Sequence, residues 1–321
     1  MYVAAPPIIL SVFPKGVSIA SKATLPITNK LIQQKYGYPD KTRHMLYVFI
    51  PHNAQRQKFY LRIGYFRTMN VTAIAQKLDQ AANQAQAIAQ ISQEFTFSED
   101  QAYEIQRLSM EERYARGEKF VGLKLGFTSF AKMEQMGVHD MIWGRLTNAM
   151  WLKHNEEMDM GQFIHPRAEP EIAFLLKKDI DKEISLAEIS DYVLACAPAI
   201  EIIDSRFSNF KFSLEDVIAD NCSSSGFVIG AWQPLPKSVN NLSMSLHFDQ
   251  EIKEQDTSNA ILDNPFLSIC NASRLATKYH QPFLKGNILL AGAATPAVFV
   301  EKGKKITAKV EGLGSCSLVP K

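Results

Sequence analysis

From Val71 onward the chain carries ordered hydrophobic periods. Ile74, Leu78, Ala81, Ala85, Ile88 and Ile91 fall at helical spacing and predict a helix over 71–93. Ser98-Glu99-Asp100-Gln101 has the form of a capping box and opens a second helix over 99–115, which Gly117 stops. The period then shortens. Lys119 to Phe127 reads as a strand, and Phe130 to Gln135 as a short helix ended by Gly137. Glu171 to Leu176 is strand-like, and Ser185 to Glu188 caps another helix. Val193 to Ile203 is apolar and β-rich, with Pro198 interrupting it. Ser213 to Ala219 predicts a helix, Gly226 to Trp232 a strand, Leu242 to Phe248 an alternating strand, and Asn264 to His280 a helix. Strands over 287–292 and 306–318 close the chain. Two helices followed mostly by strands make the fold class α+β.

Residues 1–68 differ. Pro6, Pro7, Pro14, Pro26, Pro39 and Pro51 punctuate them, and no helical period is sustained. They carry ten Lys and Arg against one acid, Asp40, so the front is +9 while residues 69–321 are −7. Such asymmetry marks a segment with a separate history. Met69 opens the amphipathic pattern and is read as the natural start, with 1–68 a basic extension from an upstream initiation codon. The domain reading is therefore 1–68 extension, 69–118 helical region and 119–321 catalytic domain. With 46% hydrophobic and 21% charged residues the chain is neither disordered nor fibrous. No stretch reaches the roughly 18 apolar residues of a membrane-spanning helix, and no secretory signal opens the chain. Cys196, Cys222, Cys270 and Cys316 lie far apart and are read as reduced thiols of a cytoplasmic protein. The acidic main part and the absence of an aromatic-basic platform argue against nucleic acid.

Three clusters could carry chemistry. In His165-Pro166-Arg167-Ala168-Glu169-Pro170-Glu171, an extended backbone points Glu169 and Glu171 to one face. Paired carboxylates are tolerated in water or around a hard divalent cation. Glu201 sits in an apolar run and is costly to bury unless something pairs with it. The bland alternative is a solvated Glu169 and Glu171, with Glu201 paired to Arg206. Lys124 lies among apolar residues between Gly122 and Gly126, either as a ligand-facing charge or as a snorkelling edge lysine. The run Ala219-Asp220-Asn221-Cys222-Ser223-Ser224-Ser225-Gly226 is dense in small hydrogen-bonding groups. It could grip a carboxylate or simply cap a turn.

The order of these motifs is more specific than any one of them. G-L-K-L-G-F-T-S, K-M-E-Q-M-G-V, H-P-R-A-E-P-E-I-A-F, E-I-I-D-S-R-F, A-D-N-C-S-S and G-L-G-S-C-S together resemble the hydratase/decarboxylase branch of the fumarylacetoacetate hydrolase superfamily over residues 69–321. The resemblance implies a mixed β-roll with a small helical N-terminal region. It implies Mg²⁺ or Mn²⁺ held by Glu169, Glu171 and Glu201, catalytic roles for Lys124 and Ser223, and substrate contacts from Ile142 and Arg206. Hydratases of the branch read Q-P-D-F-G where this chain has His139-Asp140-Met141-Ile142-Trp143-Gly144, so Ile142 replaces their acid. That departure and the H-P-R form look like the decarboxylases. The expected reaction is decarboxylation of a small 2-oxo dicarboxylate, 2-oxo-3-hexenedioate. The alternatives are 2-oxopent-4-enoate hydration, or a silent subunit partnering such a hydratase. A homo-oligomer and a complex with a hydratase are the expected partners.

Overall fold

The structure is a computed structural model that describes residues 43–44, 66–67, 69–129, 133–134 and 138–321. The chain divides into two compact units, Met1–Thr68 and Met69–Lys321. In the first, β1 (Arg43–His44) pairs antiparallel with β2 (Phe66–Arg67). The rest of the basic extension, and most of the short helix expected over 130–135, lie outside the described residues.

The second unit opens with α1 (Val71–Asn83), capped by Asn70, whose side chain accepts from the Ala73 N–H at 3.1 Å. The helix ends at Asn83, not at Gln93. Ala85 takes φ +48°, and the Ile88 N–H donates to the Arg206 carbonyl at 2.9 Å in a bridge to Phe207. A tertiary backbone pairing here overrides the helix propensity of the Ala/Gln-rich sequence. Then α2 (Glu99–Ala115) starts at Ser98 with both hydrogen bonds of the expected capping box.

The strands follow in order: β3 (Phe120–Gly126), β4 (Ile142–Thr147), β5 (Glu157–Met158), β6 (Arg167–Leu176), β7 (Val193–Ile203), β8 (Ser224–Ile229) and β9 (Gln233–Pro234). Next come β10 (Ser243–Phe248), β11 (Glu251–Thr257), β12 (Ile288–Leu290), β13 (Val298–Phe299), β14 (Ile306–Val310) and β15 (Gly314–Pro320). Among them lie α3 (Ile189–Tyr192), α4 (Leu214–Ala219) and α5 (Phe266–Lys278). One mixed sheet has the order β4-β3-β12-β6-β7-β8, with β13 and β9 attached; a second has the order β11-β10-β14-β15-β5.

The first sheet curls until its two edges meet. Past β4, the Leu152 N–H donates to the Phe227 carbonyl of β8 at 2.8 Å, and Trp151 bridges Phe227. The loop before β8 hydrogen-bonds the free edge of β4. Edge closure of this kind leaves no open ladder on that side.

Strand alternation sorts the residues of the curled sheet. On β6 and β7, Ala168, Ile200 and Ile202 join Leu246, Phe248, Ile306, Ala308, Cys316 and Leu318 of the second sheet in one buried cluster. The opposite faces of the same strands carry Glu169, Glu171 and Glu201, with Ala173, Ala197 and Ala199 further along in a separate apolar cluster. The carboxylates thus sit above an apolar floor.

Two expectations about strands change. Pro198 does not interrupt β7: it sits opposite Ile172, and its carbonyl accepts from the Gly230 N–H at 2.9 Å, so the ladder continues past the missing donor. The segment 306–318 is not one strand but the hairpin of β14 and β15. Gly312 (φ +73°) and Gly314 (φ +105°) supply the left-handed turn it needs.

Candidate active site

Glu169 and Glu201 are directly opposed in the β6–β7 register, and Glu171 lies two residues along the same face. Like charges facing each other across strands are destabilising. Here the arrangement is also sequestered: Glu171 and Glu201 are both 0% exposed. One ligand oxygen from each of the three carboxylates falls within 4.8 Å of the others. Glu171 Oε2 accepts from the Gly292 N–H at 2.8 Å, while its Oε1 has no hydrogen-bond partner. Neither oxygen of Glu201 accepts a hydrogen bond either, although its Oε2 lies 3.0 Å from Lys124 Nζ as an ion pair. Burial, and then the charge of Glu201, push the Glu171 carboxyl well above the usual carboxylate range. Buried oxygens of Glu171 and Glu201 with unfilled acceptor positions, converging with the Glu169 carboxylate, fit a hard divalent cation. The donor set is all oxygen and all anionic, which suits Mg²⁺ or Mn²⁺ over softer metals.

Lys124 reaches this cluster from β3 and is 3% exposed. Burial pulls its ammonium down, but the charges of Glu201, Cys222, Glu169 and Glu171 outweigh that and hold it above the ordinary lysine value. The snorkelling alternative therefore does not apply. Its Nζ also donates to the Cys222 carbonyl at 3.2 Å. An ammonium has three donors, and the bond to Cys222 takes one, so the ion pair to Glu201 and the cavity beside them share the others.

That space is a cavity of about 200 Å³, lined by Lys124, Ile142, Glu169, Phe210, Phe212 and Ser223 among others. Ser223 Oγ is buried without a hydrogen-bond partner and is a polar group of the cavity lining. Ile142, at the start of β4, supplies part of the apolar wall. The Cys222 thiol donates to the Trp143 carbonyl at 3.0 Å, and burial pushes it up to about 12, so it is no nucleophile at neutral pH.

The geometry thus brings together six of the seven residues singled out in the sequence. Arg206 is the exception, and the expectation that it binds substrate is corrected. The residue is 3% exposed and does not line the cavity. It pairs with the Asp220 carboxylate and donates to the carbonyls of Asp204, Asp220 and Ser224 and to Ser225 Oγ. Each of its three guanidinium nitrogens donates in a link that ties the end of β7 to the loop before β8. The alternative pairing of Glu201 with Arg206 fails for the same reason, since Glu201 is paired to Lys124. Sequence reading missed Phe210 and Phe212 as wall residues; both come from an irregular stretch with no periodic signal.

Comparison with known proteins agrees with this geometry. The model of the fumarylacetoacetate (FAA) hydrolase C-terminal family matches residues 136–318, a span that includes all three carboxylates. A 4-oxalocrotonate decarboxylase of a Pseudomonas species is 48% identical over 249 residues, covering 78% of this chain and 97% of the relative. A 2-keto-4-pentenoate hydratase of Paraburkholderia phymatum is 32% identical over 252 residues, covering 76% of this chain and 95% of the relative. Among solved structures, the 4-oxalocrotonate decarboxylase of Pseudomonas putida G7 complexed with magnesium and adipate matches with a TM-score of 0.76 and 31% identity. It covers 79% of this chain and 100% of that one. With carboxylates converging at one end of a curled mixed sheet and a likeness that spans the whole of its relatives, the chain belongs to the fumarylacetoacetate hydrolase family.

Proposed function

We propose that this protein is a metal-dependent decarboxylase that converts 2-oxo-3-hexenedioate to 2-hydroxypenta-2,4-dienoate and CO₂. The observation that carries this reading is Ile142, an apolar residue in the wall of the cavity that Lys124, Glu169 and Ser223 share, which the motif resemblance sets against the acid of the branch's hydratases. The 48% identical relative, a 4-oxalocrotonate decarboxylase, and the solved decarboxylase with magnesium and adipate support the substrate class and the metal.

The chemistry follows from the substrate. Its C2 ketone is conjugated to the C3–C4 alkene, and the departing C6 carboxylate hangs on C5. When the C5–C6 bond breaks, its electron pair moves through the alkene to the C2 oxygen. Glu169, Glu171 and Glu201 would hold Mg²⁺ or Mn²⁺, which as a Lewis acid supplies stabilisation for negative charge on a 2-oxo acid. Lys124 lines the cavity, where its ammonium can stabilise that charge and deliver the proton that turns the C2 oxygen into the enol hydroxyl. Ser223 Oγ, lacking a protein partner, offers a hydrogen bond to a substrate oxygen. Ile142, Phe210 and Phe212 keep water from the end of the cavity they line, which favours loss of a charged carboxylate over its retention. No acid stands at position 142 to activate a water molecule, which disfavours hydration.

The reading extends to a cytoplasmic enzyme assembled as a homo-oligomer and associated with a 2-oxopent-4-enoate hydratase, for which the dienol product is the natural substrate type. Among the described residues no helix is long and apolar enough to cross a membrane. Leu194, Ile252 and Phe299 are large apolar side chains more than half exposed, which suits subunit contacts. The test is product analysis with the six-carbon diacid and with 2-hydroxypentadienoate offered separately, in wild type and in Ile142→Asp. Wild type is expected to release CO₂ from the diacid, and the variant to release it at least about tenfold more slowly. Hydration of the five-carbon dienol without CO₂ release from the diacid refutes the decarboxylase and selects the hydratase. An unchanged product with only a lower melting temperature in the variant would make Ile142 a packing residue.

A further inference from the structure

Three consecutive non-glycine residues, Asn221, Cys222 and Ser223, hold left-handed backbone angles, φ +49°, +51° and +57°. All three are buried, at 6%, 3% and 3% exposure. A single such residue is uncommon and costs energy; a run of three persists only where the surroundings over-determine it. The surroundings here are the free edge of β4. Asn221 Oδ1 accepts from the Arg145 N–H at 2.7 Å, and its Nδ2 donates to the Arg145 carbonyl at 2.9 Å. The side chain thus takes the place of a neighbouring strand. One residue earlier, Gly144 leaves the room the loop occupies: a Cβ there would stand 2.6 Å from the Asn221 carbonyl oxygen. Gly144 is also the β4 residue opposite Lys124 in the register.

The strained run delivers two groups to the active site. Its middle carbonyl, that of Cys222, accepts from Lys124 Nζ, and its last side chain is the unpartnered Ser223 hydroxyl of the cavity lining. We propose that Asn221, seated on Gly144, is a positioning residue that sets the direction of the Lys124 ammonium through the Cys222 carbonyl and fixes the Ser223 hydroxyl in the cavity. Asn221 does not touch the substrate. It acts by removing freedom from two groups that do, and the β4 edge is the template it is clamped to. This inference rests on the decarboxylase reading for its reaction, but not for its geometry. Without the clamp, Lys124 keeps its ion pair to Glu201 and loses the fixed Cys222 carbonyl, so the direction of its ammonium is no longer set.

The test uses the full chain with Asn221→Gly and Gly144→Ala. The first keeps left-handed angles accessible and removes only the two side-chain hydrogen bonds. The second pushes the loop off β4 without altering any group beside the substrate. Each variant is measured for turnover of 2-oxo-3-hexenedioate, for Mg²⁺ affinity by calorimetry, for binding of the inert saturated analogue 2-oxoadipate, and for thermal melting. Turnover should fall about 10- to 100-fold in both, because a displacement of an ångström in a catalytic group costs that much. The Mg²⁺ dissociation constant should stay within about threefold of wild type, since the carboxylates are untouched, whereas 2-oxoadipate should bind more weakly, by less than turnover falls, because the Ser223 hydroxyl offered to it is no longer fixed. Normal turnover in both folded variants overturns the proposal. A parallel loss of Mg²⁺ affinity overturns it too, and makes the loop a support of the metal centre. Melting below the assay temperature in both variants makes it a folding element only, and also counts against the proposal. An inactive wild type would instead refute the decarboxylase reading, which separates the two failures.

Discussion

Glu169 and Glu171 share a strand face but meet different surroundings. Glu171 is fully buried with one oxygen held by the Gly292 N–H, whereas Glu169 borders the cavity and opposes Glu201 across the strands. Replacing Glu169 by Gln removes a ligand charge at nearly constant volume and also relieves the cross-strand repulsion. Glu169→Gln should therefore lose at least about 100-fold in Mg²⁺-dependent turnover, a larger effect than loss of an outer-shell partner. The metal-free variant should melt no lower than metal-free wild type. Calorimetric titration with Mg²⁺ and a melt in chelator check both halves; wild-type Mg²⁺ affinity in the variant refutes the ligand assignment. The E-x-E string itself was legible, but it is common and says little. What gives it meaning is the register that sets Glu201 opposite Glu169, and registers are decided by pairing, not by composition. Arg206 was misjudged for a related reason. An arginine near an active-site motif reads as a ligand for carboxylates, and only the fold shows that Asp220 and nearby carbonyls already occupy its donors.

Elements whose signal is local were legible, and elements defined by a distant partner were not. The capping box at Ser98 and the helix α2 depend on neighbours a few residues away, and the bounds read from sequence match the structure. The polar strand β11 gives no alternating pattern, because it is an edge strand paired to β10 alone and mostly exposed. The end of α1 is set by Phe207, far along the chain. Short helix α4 joins both kinds of signal. Asp216 caps it locally by accepting from the Ser213 N–H at 3.1 Å, and reaches the distant Ser92, whose N–H it accepts at 3.0 Å and whose hydroxyl it also accepts. Asp216 is 0% exposed, but the groups it accepts from are not: Ser92 is exposed and Ser213 half-buried, so water can reach the donors that Asp216→Ala releases. The expected cost is about 1–2 kcal/mol, from a lost cap and lost tertiary hydrogen bonds. Urea unfolding should show a lower midpoint at an unchanged slope; a loss below about 0.5 kcal/mol would mean that water replaces the carboxylate without penalty.

At the scale of the whole molecule, the α+β class was readable because two amphipathic helices precede a long run of strand patterns. The curling of the sheet was readable only through the motif resemblance, which implies a β-roll, and not from the hydrophobic pattern, since closure depends on β4 and β8 finding each other through a loop and through Trp151 and Phe227. The +9 front ends where the amphipathic pattern begins, and the compact units divide between Thr68 and Met69. The second unit contains every carboxylate of the candidate metal centre, Lys124, Ser223 and the whole lining of the cavity. Its helices belong to the same core as its sheets: Leu78, Ala102 and Ile105 are buried in one cluster with Leu123, Trp143 and Phe174. A protein beginning at Met69 should therefore fold and decarboxylate. Stability in that unit comes from burial within it, and the acidic charge left after removing the front is modest for a unit of this size. We expect its melting temperature within a few degrees of the full chain, a shift of about 1 kcal/mol or less, and its kcat/KM within about threefold. Isoelectric focusing should show a lower isoelectric point, because +9 of charge has been removed. Insoluble expression of the Met69 protein, or a loss of turnover with Mg²⁺ binding retained, would show that residues 1–68 contribute to the folded enzyme.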